Sequence, residues 1–538
     1  MSAQRTGHDL VGFGLRVLVQ VALFRVLEPT VRALGRLPAA AYEGRVFLDA
    51  VPLRIYELVR SHPAAAAAGL VGLVACALVP RLRADTARLF DGWRSVEDGP
   101  AVRALVGVLT AVPTWAWSTY ATNAWFGQAH VLDRLMLVGL WALALWRPLF
   151  LLPWAVALAA VLSQFDLPLA QFSWTEADLL LRIPILVTAY WVVRAFGRER
   201  GAHTLVFLLC CLLATTYWWS GVGKLRIDWL AHPHIHLLIF GAYANGWLSF
   251  LEPATIARIS ATLAPFTVPL MLFTLLVELG ALLLLARRSF LQGFLVLALV
   301  FHTGVFLFSG ICFWKWMAVE VALLVFLRTG DRIERLPFFT PAHAVLSILL
   351  IGGATLWVRP GNLTWYDTPL TYSLRLEGVT TTGRTVPLDA GSFAPYREMF
   401  VLGLFPYLSP DVQLTGTMGA ATDPARADAL VRAPTVETVR ALEAAAGAGR
   451  YDAAQAQAFE ALVARYARRL NARGPDRFGI TDLLRAPPHL WSSPRSPRWE
   501  GQSPLQHVRV IESTRLFDGT LPHEIRRRVL AVVEVGAR

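Results

Sequence analysis

Charge is what this sequence has least of. Asp, Glu, Lys and Arg make up 16% of its 538 residues, against about 25% in soluble globular proteins, and the mean hydropathy is +0.48. That balance argues against a water-soluble enzyme. Cysteine is nearly absent too. Cys76, Cys210, Cys211 and Cys312 each lie in or beside an apolar segment with no metal-ligand spacing, so they read as packing residues and imply no disulfide framework. Lysine is scarce, arginine supplying nearly all of the positive charge. There is no convincing Walker loop, dinucleotide fingerprint, HExxH or CxxC, and no internal repeat of fixed period. The amino-terminal apolar stretch is interrupted by Arg16 and Arg25 with no small-residue cleavage site after it, so no cleavable signal peptide is expected.

What the sequence has instead is long apolar runs. A bilayer core about 30 Å thick needs about 20 mostly apolar residues per helix. Runs of that order cover 64–80, 102–121, 131–147, 149–164, 179–195, 203–223, 263–286, 290–309, 311–328 and 342–358. The expected fold class is therefore an all-α polytopic membrane bundle of about 10 transmembrane helices with a C-terminal extracytoplasmic α+β tail. Residues 1–60 form an N-terminal membrane-associated segment, 61–358 the multi-span domain and 359–538 the tail. A further apolar stretch, 235–251, contains Gly241, Asn245 and Gly246, so a re-entrant or surface-lying segment is expected there. Within the first sixty residues, 9–37 suits an amphipathic helix on the inner surface, with one more weak crossing near 41–59.

The formal charge of +12 sits in short loops between apolar runs, where it orients the protein rather than binding nucleic acid. Arg81, Arg83, Arg88 and Arg94 follow the first span, Arg194, Arg198 and Arg200 the fifth, Arg287 and Arg288 the seventh, and Arg328, Arg332 and Arg335 the ninth. With ten spans all four clusters fall on one side, which is expected to be the cytoplasm. The loop of Asp166 and Glu176 is then external, and so is the tail. A plasma (inner) membrane location follows as the expectation. In the tail, 374–388 reads as a β-hairpin turning near Gly383, 425–471 as helical, and 506–514 and 525–535 as strands.

The segment Tyr217-Trp-Trp-Ser-Gly-Val-Gly-Lys224-Leu-Arg-Ile-Asp-Trp229 closes the sixth span. Two readings fit Lys224. A partly buried ammonium loses hydration, which favours a free amine able to act as a general base; alternatively, a lysine at a helix end snorkels to the interface. His302, in Phe301-His-Thr-Gly-Val-Phe-Leu-Phe-Ser-Gly310, lies within the eighth span, where an ionisable group faces the protein interior and needs a partner. It either serves a substrate or proton path, or hydrogen-bonds a neighbouring helix. His130 opens the third span at the same outer side. Tyr217, Trp218 and Trp219, with Trp115, Trp117, Trp125, Trp229, Trp314 and Trp316, form an interfacial aromatic belt or the walls of a pocket for a flat apolar ligand such as a quinone. Glu278 is expected to be structural or part of a proton path, and Glu320 to form an ion pair with Lys315.

Tyr217 to Trp229 resembles the Tyr…Gly-x-x-Lys-Leu…Asp-Trp segment of vitamin K-dependent γ-glutamyl carboxylases and of their bacterial relatives, the horizontally transferred transmembrane domain family. Phe301 to Phe313, preceded by Glu278, resembles the Phe-His…Leu-Phe…Ile…Phe helix of that family, and His130 stands at a similar helix start. The resemblance covers roughly 45–360. It implies Lys224 as the base acting on a reduced quinone such as vitamin K hydroquinone, His130 assisting proton handling, and His302 lining the pocket with Tyr217, Trp218 and Trp219. The chain departs from the family in a longer stretch between His130 and Lys224, in lacking Asn before His130, and in a shorter C-terminal region. Expected partners are the lipid bilayer and a quinone or other apolar small molecule, with no nucleic acid. A non-catalytic protein whose tail binds an extracytoplasmic partner, or a transporter, is the alternative.

Overall fold

The structure, a computed structural model, describes residues 2–36, 56–57, 59–97, 99–119, 130–163, 179–197, 201–328, 338–361, 363–389, 393, 396–403, 405–473, 484–491, 499, 501 and 503–536. Apolar runs become helices up to residue 352. In chain order the principal ones are α1 (Ser2–Gly35), α2 (Pro63–Leu78), α3 (Gly99–Ser118), α4 (His130–Trp146), α5 (Leu151–Ser163), α6 (Leu179–Gly197), α7 (His203–Arg226), α8 (Ile235–Ala244), α9 (Pro253–Leu283), α10 (Arg288–Ser309), α11 (Trp314–Arg328) and α12 (Pro341–Gly352).

Among the described residues, five helices are long and apolar enough to cross a membrane: α1 over Leu10–Gly35, α6, α7, α9 and α10. The expected count of ten is met only in part. Apolar composition continues through Pro148–Phe150 and Ala354–Leu356, but both are 3-10 turns, the first before α5 and the second after α12, which have 13 and 12 described residues. The 235–251 stretch holds only the short helix α8, which ends before Gly246 with its positive φ of 103°. The expected crossing near 41–59 and the loop of Asp166 and Glu176 fall largely or wholly outside the described residues.

α7 is central, packed by α6, α9 and α12, while α10 lies between α9 and α11. α1 packs on α5 and α6 with Phe13, Val17, Phe24 and Val31 inward together with two polar residues: Gln20 donates to Thr204 Oγ1 at 2.6 Å, and Glu28 pairs with Arg182 at 2.9 Å. Val11, Leu15, Leu18 and Val26 face outward. By length and composition, Leu10–Gly35 is able to cross a membrane as well as to lie on one.

The tail begins with β1 (Tyr366–Asp367), β2 (Leu370–Thr380) and β3 (Thr385–Leu388), continues with β4 (Ala420–Ala421), α13 (Pro424–Arg432), α14 (Val436–Ala446) and α15 (Ala453–Arg473), and ends on β5 (Leu505–Phe517) and β6 (Pro522–Glu534). The antiparallel sheet has the order β3-β2-β5-β6, and β1 pairs with β4. Gly383 supplies the left-handed residue of the β2–β3 turn at φ 77°, a conformation that costs glycine little. α15 packs on β5 and β6 over a core that includes Phe400, Phe405, Phe459, Tyr466, Val508 and Val510.

This tail docks on the end of the bundle where α7 and α10 finish. Phe517 stacks on Phe240 of α8 with ring centroids 3.6 Å apart. A Cβ on Gly241 would come within 2.0 Å of the Met418 carbonyl oxygen, so only glycine admits the tail backbone there. Between α10 and α11, the Cys312 N–H donates to the His489 carbonyl at 2.7 Å and the Trp491 N–H donates to the Gly310 carbonyl at 3.0 Å. These bonds extend the loop with a short strand of the tail.

Candidate functional site

Helical spacing puts Tyr217, Ser220, Gly221 and Lys224 on one face of α7, because residues three and four apart stack along the axis. That face meets α9. A Cβ on Gly221 would fall 2.8 Å from Leu279 Cδ2 and 3.0 Å from Glu278 Cβ, so the glycine lets the two helices touch. One turn on, Lys224 Nζ donates to Glu278 Oε1 at 2.6 Å, a charge-assisted contact. Lys224 is only 8% exposed. A snorkelling lysine would carry its ammonium to water; this one is held inside by a carboxylate, beneath the Trp229 ring at 5.5 Å.

Deeper on the same face is a second cluster. The Tyr217 hydroxyl donates to Glu320 Oε1, and His302 Nε2 lies 2.6 Å from that hydroxyl and 3.2 Å from Glu320 Oε1. Phe294, Phe313 and Trp316 surround these groups, with ring centroids between 4.9 and 6.5 Å from Tyr217 or His302. Glu278 interacts electrostatically with both Lys224 and His302, so the clusters form one network contributed by α7, α9, α10 and α11. Tyr217, Lys224, Glu278, His302 and Glu320 are all buried. Three of their polar atoms, Glu278 Oε2, His302 Nδ1 and Glu320 Oε2, have no hydrogen-bond partner among the described residues.

The tail closes this network from above. The Tyr366 hydroxyl donates to the Ile227 carbonyl just beyond α7. Its neighbour Asp367 is fully enclosed, accepts from the Trp365 indole at 3.2 Å and feels Lys224. Burial pushes its carboxyl up to about 7, with Trp365 and Lys224 opposing the rise. On the other side His489 sits over Phe313 with ring centroids 5.1 Å apart and interacts with His302. Burial lowers the basicity of His489, and Glu398 partly restores it.

Of the residues singled out in the sequence, the structure brings Lys224, His302 and Tyr217 into one network. Trp219 turns elsewhere: its indole donates to the Ile351 carbonyl at 3.1 Å and Arg226 lies over its ring. Trp218 packs at the edge of the bundle core. His130 is the first residue of α4, but its side chain lies outside the described residues, as does Trp125. The pairing expected between Glu320 and Lys315 is replaced. Five residues apart, the two point to different faces of α11, and Lys315 sits over the Trp117 ring at 4.6 Å. Sequence reasoning noted Glu278 but did not join it to Lys224, and it missed Asp367, whose burial arises only from docking. A carboxylate inside an apolar helix was the signal for the former; nothing local marks the latter.

The three unpartnered polar atoms sit among the aromatic rings of Phe294, Phe313 and Trp316. No protein-family model, curated protein or solved structure matches the chain.

Proposed function

We propose that the chain is a membrane enzyme of the vitamin K-dependent carboxylase-like type, in which the Lys224–Glu278 pair takes a proton from a quinol-like or other apolar hydroxyl-bearing substrate. The observation that carries this reading is the convergence of five ionisable side chains from α7, α9, α10 and α11 inside an apolar bundle. Each buried charge costs several kcal/mol unless it is compensated, so concentrating them favours chemistry over packing. On this reading the protein is a plasma-membrane protein of about ten crossings, the shorter helices completing those that the five long ones leave. The arginine clusters are cytoplasmic, and the tail covers the outer end.

The pair supplies a base by internal transfer. As a substrate hydroxyl approaches, the ammonium passes a proton to Glu278 along the 2.6 Å contact, and the freed amine takes the hydroxyl proton. One N–H and one substrate O–H break while one carboxyl O–H and one N–H form, leaving the substrate oxyanion beside a restored ammonium. His302 Nδ1, which has no hydrogen-bond partner among the described residues, is a second polar atom for the substrate, its ring oriented by the contacts of Nε2 with Glu320 and Tyr217. Tyr217, Trp229 and Trp316 offer ring faces to hold a reduced quinone, which when bound supplies an acidic hydroxyl and reducing equivalents.

The test uses the full-length protein in lipid nanodiscs with a reduced naphthoquinone. Wild type is expected to consume the quinol, while Lys224→Arg and Lys224→Ala elute as folded protein and do not. Equal quinol consumption by wild type and Lys224→Ala overturns the reading.

A further inference from the structure

We infer that the loop after α7 and helix α13 of the tail together bind one divalent transition-metal ion, held by His232, His234 and Asp428. His232 Nδ1 lies 2.7 Å and His234 Nε2 3.7 Å from Asp428 Oδ1, and the three ligand atoms all fall within 4.8 Å of one another. Bonds of about 2.0–2.1 Å in a tetrahedral site set ligand atoms about 3.3 Å apart. The two distances to Asp428, 2.7 and 3.7 Å, bracket that value.

The chain builds this arrangement deliberately. Pro233 between the histidines fixes its own φ, and the His234 N–H donates back to the His232 carbonyl at 2.9 Å, a tight turn that sets the two rings 6.5 Å apart. Tyr366 packs its ring on His232 at 4.8 Å. Asp228 and Asp423 act with Asp428 on the Tyr366 hydroxyl, so negative potential gathers here, offset in part by Arg426 at 3.9 Å from Asp423. Two imidazole nitrogens and one carboxylate oxygen are a donor set for Zn²⁺ and its neighbours, whereas Ca²⁺ and Mg²⁺ require oxygen throughout. The side chains are 15%, 16% and 32% exposed, which leaves a fourth position open to water. The ion would join segments 196 residues apart in the chain and clamp the tail beside Trp229, whether or not Lys224 is catalytic.

The experiment is metal binding by the full-length protein in detergent, prepared without a polyhistidine tag, stripped with chelator and titrated with Zn²⁺ and, for its visible spectrum, Co²⁺. Wild type is expected to bind one equivalent, with a tetrahedral Co²⁺ absorption band and a rise in melting temperature. His232→Gln/His234→Gln, which keeps polar groups opposite Asp428, should elute as folded protein and lose the band, the equivalent and the rise. Asp428→Asn should weaken binding, and His523→Ala, on a distant hairpin, should not. The proposal is overturned if wild type and the double glutamine variant bind the same amount of Zn²⁺, or if wild type gives no tetrahedral Co²⁺ band.

Discussion

Gly221 and Glu278 meet with no room between them: a Cβ on the glycine would lie 3.0 Å from the glutamate Cβ. The Lys224–Glu278 contact one turn away depends on that approach. Gly221→Ala should therefore push α7 from α9 at a cost of about 1–3 kcal/mol, read as a lowered melting temperature in detergent. Gly304→Ala is the control, because nothing lies within 4 Å of the Cβ it would gain; it should be neutral or stabilise by up to about 1 kcal/mol. If the two substitutions have the same effect, the helices do not touch as described.

Breaking the ion pair from one side differs from removing it. Lys224→Met leaves Glu278 buried without its cation, which should cost roughly 3–5 kcal/mol. Lys224→Met/Glu278→Leu removes both charges and should regain most of that stability, while quinol turnover stays lost. A double-mutant cycle of melting curves and rates separates the two properties. A double variant with restored activity would make the pair purely structural.

How far all this was legible in the sequence follows from range. Lys224 and His302 stand out because an ionisable residue interrupts an apolar run, and the 374–388 hairpin because alternation and a Thr-Thr-Gly turn are local signals; the structure places Gly383 in that turn. Partners are not local. Tyr217 and Glu320 are 103 residues apart, and although the five-residue spacing already sets Glu320 and Lys315 on different faces of α11, nothing within the helix names Tyr217 as the partner. Hydropathy also runs unbroken through a 3-10 turn, since composition carries no record of hydrogen-bond pattern, and spans were expected where a 3-10 turn precedes α5 and follows α12. The metal-ligand cluster stayed hidden for the same reason: His232 and His234 gain Asp428 only when the tail docks.

Asp367 should make the docking of the tail depend on pH. Burial raises its carboxyl from 3.8 to about 7, so the folded state holds a proton that the unfolded chain has released. Its stabilising contribution is complete below pH 3.8, declines as pH rises and is lost once pH passes about 7, in the sense required by linkage. At about 1.4 kcal/mol per tenfold, the full effect is on the order of 4 kcal/mol. Asp367→Asn abolishes this titration. Melting temperatures between pH 4 and 8 should fall more steeply for wild type than for the variant, and parallel curves would show that Asp367 is not enclosed.

Within the second cluster, Glu320 is the hub and Tyr217 a spoke. Tyr217→Phe removes one hydroxyl, but His302 Nε2 already lies 3.2 Å from Glu320 Oε1 and can close onto it. The ring keeps its contacts with Phe294 and Trp316. The loss should be near 1 kcal/mol, that of an ordinary hydrogen bond. Glu320→Ala instead takes the acceptor from the Tyr217 hydroxyl in an apolar interior, leaving it only the contact with His302 Nε2 at 2.6 Å, and opens a cavity beside both. A buried donor that loses its acceptor costs about 1–3 kcal/mol and the cavity adds to that, so this variant should be destabilised more than Tyr217→Phe. Melting curves of the two single variants, recorded in the same detergent, decide the order; the reverse order would mean that the tyrosine, not the carboxylate, holds His302 in place.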